Sequence, residues 1–210
     1  MWASPAGPVP VEAAVVAHVE AAGRRCVHAE NWFWTSCFAL VFRELYWLPV
    51  PGRLPTPRRP GPLDLGTPAF YGARQDAADR ALGRLRVEGI SPFAKSYGGE
   101  ILAGLVRPDL ALDLALDLPG DLLASVLSEL LRRGFDAARG LPDLLVLGGR
   151  SASVPGALPS TLPQAAFLAE VKGPGDTLRD SQRVWIDKLV NEHIHVELWT
   201  VSEYKVTPNS

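Results

Sequence analysis

Asp143, Glu170 and Lys172 are the residues of this 210-residue chain whose types and spacing suggest chemistry. Glu170 and Lys172 lie inside the run FLAEVKG (residues 167–173), which reads as a β-strand. Side chains alternate along a strand, so Glu170 and Lys172 share one face while Ala169 and Val171 share the other. Their neighbours Phe167, Leu168 and Val171 suggest a buried strand, where a charge is costly unless it is paired or bound to a metal. Taken alone, Glu-x-Lys also fits a surface ion pair on a half-exposed strand. Asp143 follows Pro142 at the start of an earlier strand-like run, LPDLLVLG (residues 141–148). If the two runs pair as a hairpin across residues 149–165, Asp143 lies near the end of the second strand. Two carboxylates and a backbone carbonyl, that of Val171, then converge beside an ammonium. Hard oxygen ligands suit Mg²⁺ or Mn²⁺. Such an ion polarises a phosphoryl oxygen and makes water a better nucleophile, while the lysine orients that water or offsets charge on the transition state.

The elements that must position these residues follow from pattern. Residues 11–22 read as a helix stopped by Gly23, and residues 28–48 as a helix with Phe33, Cys37, Leu40, Val41 and Leu48 on one face. The proline- and glycine-rich stretch 49–68 reads as a structured connection, with Leu54, Leu63 and Leu65 as docking points, that turns into a helix over 69–87. Further helices are expected over 91–106 and 120–134. Between them, Asp109, Asp113 and Asp117 recur every four residues, as on a solvated helix face. From residue 141 the period changes to strand, loop, strand, then a helix over 177–192 and a strand over 194–202. The expected organisation is a loose N-terminus (1–10), a helical region (11–138), a core (139–205) and a tail (206–210). The expected fold is α/β, with a mixed β-sheet and flanking helices preceded by the helical region.

Composition bounds the function. A hydrophobic content of 47% predicts a folded chain, and a net charge of −2 carries no global nucleic-acid signature, so any polyanion site must come from local clustering. Cys26 and Cys37, with four scattered histidines, do not make a zinc set; both thiols are expected to be inert in a reducing compartment. No apolar run reaches the roughly 18 residues of a membrane helix. No basic segment precedes an apolar one at the N-terminus. The chain is therefore expected to be soluble, cytoplasmic and without a membrane partner, and nucleoid-associated if bacterial.

The P-D…E-x-K set resembles the degenerate signature of restriction-endonuclease-like nucleases. The surrounding residues narrow it. Gly140, Pro142, Asp143, Glu170, Val171, Lys172, Gly173, Pro174, Asp176, Leu178, Gln182 and Trp185 follow the pattern of the VRR-nuclease domain, and the likeness covers residues 139–202. Upstream, AENWFWTSCFALVFRELYWLPVPG and PLDLGTPAFYGAR resemble segments that precede the nuclease core in the Fanconi-associated nuclease family. That resemblance implies a further active-site carboxylate at Glu30, which helical spacing puts on the apolar face with Phe33, Cys37 and Val41. It also implies an acid at Glu44, and a Gln, here Gln182, that contacts the metal site or the phosphate. Trp185 reads as core rather than as a stacking platform. Arg139, before the Gly-Leu-Pro-Asp turn, is a phosphate-binding candidate, with Arg179 and Arg183 on the following helix. His193 stands where a glycine often ends that helix and reads as a cap rather than a base.

The resemblance implies a DNA phosphodiesterase that uses Mg²⁺ or Mn²⁺. Glu30, Asp143, Glu170 and the Val171 carbonyl would be the ligands, with Lys172 and Gln182 beside them. Its substrate would be branched DNA such as a 5′ flap, cut as an endonuclease or from the 5′ end. Larger members of the family carry N-terminal DNA-binding and helical-repeat regions that do not occur in these 210 residues, so a protein partner supplying such modules is one expectation. The rival readings are a stand-alone dimeric junction resolvase of the same fold and a non-catalytic DNA-binding fragment. Helices over 91–134 would obstruct the resolvase dimer, which favours a monomer.

Overall fold

The computed structural model describes residues 2–4, 7–29, 31–54, 60–99, 101–148 and 165–202. The chain forms two compact units, one of residues 1–28 with 140–210 and one of residues 29–139. The first unit thus draws on both ends of the chain.

In the first unit, Trp2–Ser4 (β1) and Gly7–Val9 (β2) pair antiparallel, where a loose N-terminus is expected. Strands of three residues are too short to show a period, and the prolines around them mask the pairing. Val11–Ala21 (α1) ends as expected at Gly23, whose φ is 82°. The amides of Gly23 and Arg24 return to the carbonyls of Glu20 and Val19, the paired bonds of a Schellman motif. Cys26–His28 (β3), Leu144–Val146 (β4), Phe167–Lys172 (β5) and Val196–Thr200 (β6) form one sheet in the order β3-β4-β5-β6. The first two pairings are antiparallel and the last is parallel. Asp180–Asn191 (α9) supplies the crossover that a parallel pair requires.

Period-2 alternation gives the sheet two apolar faces. Leu144, Val146, Phe167, Ala169 and Val171 pack with Val19 and Cys26, and with Val11, Val15 and Val16 of α1. The other face of β5 carries Glu170 and meets α9 through Gln182. Arg24, 7% exposed, ties the outer ends of β4 and β5 together. Its Nη2 donates to the Leu147 carbonyl at 2.7 Å and to the Ala165 carbonyl at 3.4 Å.

The second unit holds Asn31–Val41 (α2), Arg43–Tyr46 (α3), Pro68–Gly72 (α4), Gln75–Glu88 (α5), Ser91–Lys95 (α6), Pro108–Leu116 (α7) and Gly120–Arg133 (α8), then a 3₁₀ turn over Phe135–Ala138. The expected helix over 28–48 is therefore two helices, broken at Phe42. α2 is buried nearly all round, with Trp34, Phe38 and Ala39 as inaccessible as Phe33, Cys37 and Leu40. Phe38 meets Phe42 and Phe135 edge-on, at 4.7 and 5.0 Å. The helix expected over 69–87 breaks at Arg74 for a visible reason. Its buried guanidinium donates from Nε to the Leu45 carbonyl and from Nη1 to Asp64 Oδ2, both at 2.9 Å. Asp64 also anchors the end of the proline-rich stretch. Leu54 and Leu63, expected as docking points, are each half exposed. α6 stops at Lys95 instead of reaching 106, since Gly99 and Gly104 follow with positive φ. Asp109, Asp113 and Asp117 are exposed, as the solvated-face reading requires.

Candidate active site

The site is built where β4 begins and β5 ends. Pro142 has no amide N–H and closes the ladder. The register that sets Leu144 opposite Ala169 places Asp143, one step earlier, opposite Glu170. Asp143 Oδ2 accepts the Val171 amide at 3.0 Å, so a side chain takes over where the backbone pairing stops. The turn before it needs Gly140, whose φ is 103°. A Cβ there would stand 2.7 Å from the Ser181 carbonyl carbon and oxygen at the start of α9.

Glu170 and Lys172 share a face, as alternation predicts. The Glu170 side chain is wholly inaccessible and that of Lys172 is 12% exposed, with Nζ 2.6 Å from Oε1. This excludes a surface ion pair. Gln182, in the first turn of α9, closes the group. Its Nε2 donates to the same Glu170 oxygen at 2.5 Å. Its Oε1 accepts from Lys172 Nζ at 3.1 Å and from the Arg179 amide at 3.0 Å. One amide therefore holds the carboxylate, the ammonium and the helix start. Glu170 Oε2 is buried with no hydrogen-bond partner among the described residues. A cavity of about 350 Å³ opens here, lined by Glu12, Asp143, Val171, Lys172, Gly175, Asp176, Thr177, Arg179 and Gln182.

Burial pushes the Glu170 carboxyl above its ordinary range, the hydrogen bond from Lys172 opposes this, and the neighbouring charge of Asp143 raises it further. The site thus asks for positive charge beyond the one lysine. A hard divalent cation fits that demand, because the open donors are carboxylate oxygens and one of them is buried without a partner. Among the described residues no group of three or more His, Cys, Asp or Glu side chains could hold a metal ion. The described donors are therefore Asp143, Glu170 and backbone oxygen. Glu30 lies outside the described residues.

Residues 102–203 match the VRR-NUC domain family. This chain resembles that family over just under half of its length. It is 26% identical over 206 residues to the Fanconi-associated nuclease 1 homolog of Schizosaccharomyces pombe, an alignment that covers 94% of this chain and 28% of that protein. It is 32% identical over 186 residues to the homolog of Pseudomonas aeruginosa, covering 88% and 32%. A crystal structure of paFAN1 bound to 2-nt 5′-flap DNA with a gap superposes with a TM-score of 0.72 at 26% identity, covering 96% of this chain and 36% of that one. The chain thus spans less than two thirds of these relatives. The fold is the restriction-endonuclease-like α/β fold expected from the resemblance.

The candidate site brings together Asp143, Glu170, Val171, Lys172 and Gln182, all expected from the sequence. Arg179 lines its cavity as the N-cap of α9, and Arg183 is exposed one turn later. Arg139 is exposed and pairs with Asp136 at 3.2 Å in the second unit. Glu44 is exposed on α3 of that unit and lines a different cavity. Trp185 is 3% exposed and belongs to the core. His193 adopts a left-handed φ of 60°, and the amides of His193 and Ile194 return to Val190 and Leu189, completing a second Schellman motif. Sequence reasoning missed Glu12 and Thr177. Glu12 reaches the cavity because α1 packs beside the turn after β5, where Val11 Cγ1 lies 4.0 Å from the Cβ position of Gly173. No local signal in the sequence announces that contact.

Proposed function

We propose that this chain is a metal-dependent DNA nuclease that cleaves branched DNA such as 5′ flaps, as an endonuclease or from a 5′ end, in DNA repair. The observation that carries the reading is the state of Glu170. It is wholly buried, held at one oxygen by Lys172 and Gln182, partnerless at the other, and opposite Asp143. The buried Arg74–Asp64 pair also leaves an oxygen open, at Asp64 Oδ1; what sets Glu170 apart is the second carboxylate opposite it, Asp143, and the cavity that opens beside them. The relative paFAN1 has been crystallised on 5′-flap DNA, which supports the choice of substrate.

In this reading Asp143, Glu170 and the Val171 carbonyl would hold Mg²⁺ or Mn²⁺, and the family resemblance adds Glu30 to these ligands. The bound ion lends positive charge to a phosphoryl oxygen and lowers the pKa of water. Lys172 directs its side-chain nitrogen at the attacking water or at the phosphate. Gln182 fixes the lysine and the carboxylate relative to one another. Water gives up a proton to solvent as its oxygen adds to phosphorus, the P–O bond to the leaving strand breaks, and the leaving oxygen takes a proton from solvent. Arg179 and Arg183 contact flanking phosphates from α9, and Arg139 is a further phosphate-binding candidate. The working form is a monomer.

The test uses end-labelled 5′-flap, 3′-flap, four-way-junction and plain duplex DNA in Mg²⁺, Mn²⁺ and EDTA, with Asp143→Ala and Lys172→Ala alongside. Metal-dependent cutting of the 5′ flap that both substitutions abolish is the expected result. Symmetric cutting of the four-way junction by a dimer would favour the resolvase instead. Binding without cleavage by folded wild type in Mn²⁺ would overturn the enzymatic reading.

A further inference from the structure

We infer that the helical unit carries a second, non-catalytic site, a cavity between α3, α5 and α6 that takes a phosphodiester of the DNA backbone. The inference rests on the nuclease reading for the source of that phosphate. The chain as a whole is mildly acidic, so positive charge must be gathered locally for DNA to be held at all. It is gathered here. A cavity of about 290 Å³ is lined by Arg43, Arg80 and Arg84, against one carboxylate, Glu44.

Arg80 and Arg84 stand one turn apart on α5, on the same face of the helix. Two of the three guanidiniums are held in place by neighbours. Arg43 donates to the Ser96 carbonyl. Arg84 lies over the Phe93 ring, 5.4 Å from its centroid, and pairs with Glu88 at 3.2 Å. Arg80 has no hydrogen-bond or ionic partner among the described residues, although it lines the same wall. A planar guanidinium presents paired donors that match two phosphate oxygens. Fixed arginines beside an unengaged one, in a walled space, suit an anion that arrives from outside. The apolar lining from Phe93 and its neighbours suits the sugar next to it.

The test measures affinity for 5′-flap DNA in Ca²⁺ against salt concentration, with inorganic phosphate as a second ligand. Arg80→Ala is expected to weaken DNA binding about tenfold and to reduce the slope of log K against log salt by about one. Thermal stability and cleavage at saturating DNA should stay unchanged. Glu44→Gln is expected to shift affinity the other way. Arg86→Ala, an exposed α5 arginine outside the cavity, is the control for general charge. Equal effects of Arg80→Ala and Arg86→Ala, or an unchanged salt slope, would overturn the site while leaving the nuclease reading intact. Arg80-dependent binding of free phosphate without any affinity for DNA would leave a small-anion site and overturn the DNA assignment. Cleavage assays on the same wild-type protein report separately on the nuclease reading.

Discussion

Replacing Lys172 by methionine keeps the length of the side chain and its packing against β5 but removes the ammonium 2.6 Å from Glu170 Oε1. Lys172 lowers the Glu170 pKa by hydrogen bond and by charge, while burial and Asp143 raise it. Without the lysine, the folded-state value rises further. The sign follows from proton linkage. Between the ordinary value and the folded value, the native protein holds a proton that the unfolded chain has lost, so stability falls as pH rises. In wild type that loss occupies the window set by its own raised value, and in Lys172→Met it extends higher. The difference between the two proteins should therefore be small at low pH, where both carboxyls are protonated. It should then grow by at most about 1.4 kcal/mol per pH unit, the limit for one proton. It should level off near the roughly 3–5 kcal/mol typical of a buried pair that has lost one partner. Urea unfolding in EDTA from pH 5 to 9 measures it. Mn²⁺ should restore much of the loss, since a cation again faces Glu170, while cleavage stays abolished. A destabilisation that does not change with pH, or one that Mn²⁺ does not relieve, would refute the account of the site as a buried acid in need of positive charge.

Three further outcomes follow from the same geometry. Asp143→Asn keeps an oxygen for the Val171 amide, so stability should change by less than about 1 kcal/mol, while the thermal shift that Mn²⁺ gives wild type disappears; loss of folding would contradict this. Saturation at 100 times the dissociation constant is worth about 2.7 kcal/mol, or about 5–11 °C for a chain of this size, so calorimetry resolves the difference. Gln182→Leu removes the link between Glu170, Lys172 and the Arg179 amide and should cost about 2–5 kcal/mol, from the loss of its bonding to charged groups and of one helix cap; urea midpoints check it, and a neutral effect would show that the network is not stabilising. Gly140→Ala places a Cβ 2.7 Å from the Ser181 backbone at a φ of 103°, and should destabilise the sheet unit by more than about 2 kcal/mol, whereas Gly→Ala at the open position Gly72 should not; comparable melting temperatures for the two variants would refute the packing argument.

The sequence by itself determined the pattern of the candidate site, because the rules behind it are local. Alternation along β5 puts Glu170 and Lys172 on one face, Pro142 ends a ladder, and an antiparallel pair carries Asp143 across from Glu170. The stops at Gly23 and His193 are equally local, since each depends on one residue adopting positive φ. Tertiary structure alone decided the features that depend on distant partners. β3 has three residues and no readable period; it is a strand because β4, more than a hundred residues later, pairs with it. The helix over 69–87 breaks because Arg74 is drawn into bonds with Leu45 and Asp64. Burial of Glu170 on every side, the open oxygen it leaves, and the triple role of Gln182 arise only when α9 docks on the sheet. The arginine cavity has the same origin, since α3 and α5 are separated in sequence by the proline-rich stretch and only their packing sets Arg43 beside Arg80 and Arg84.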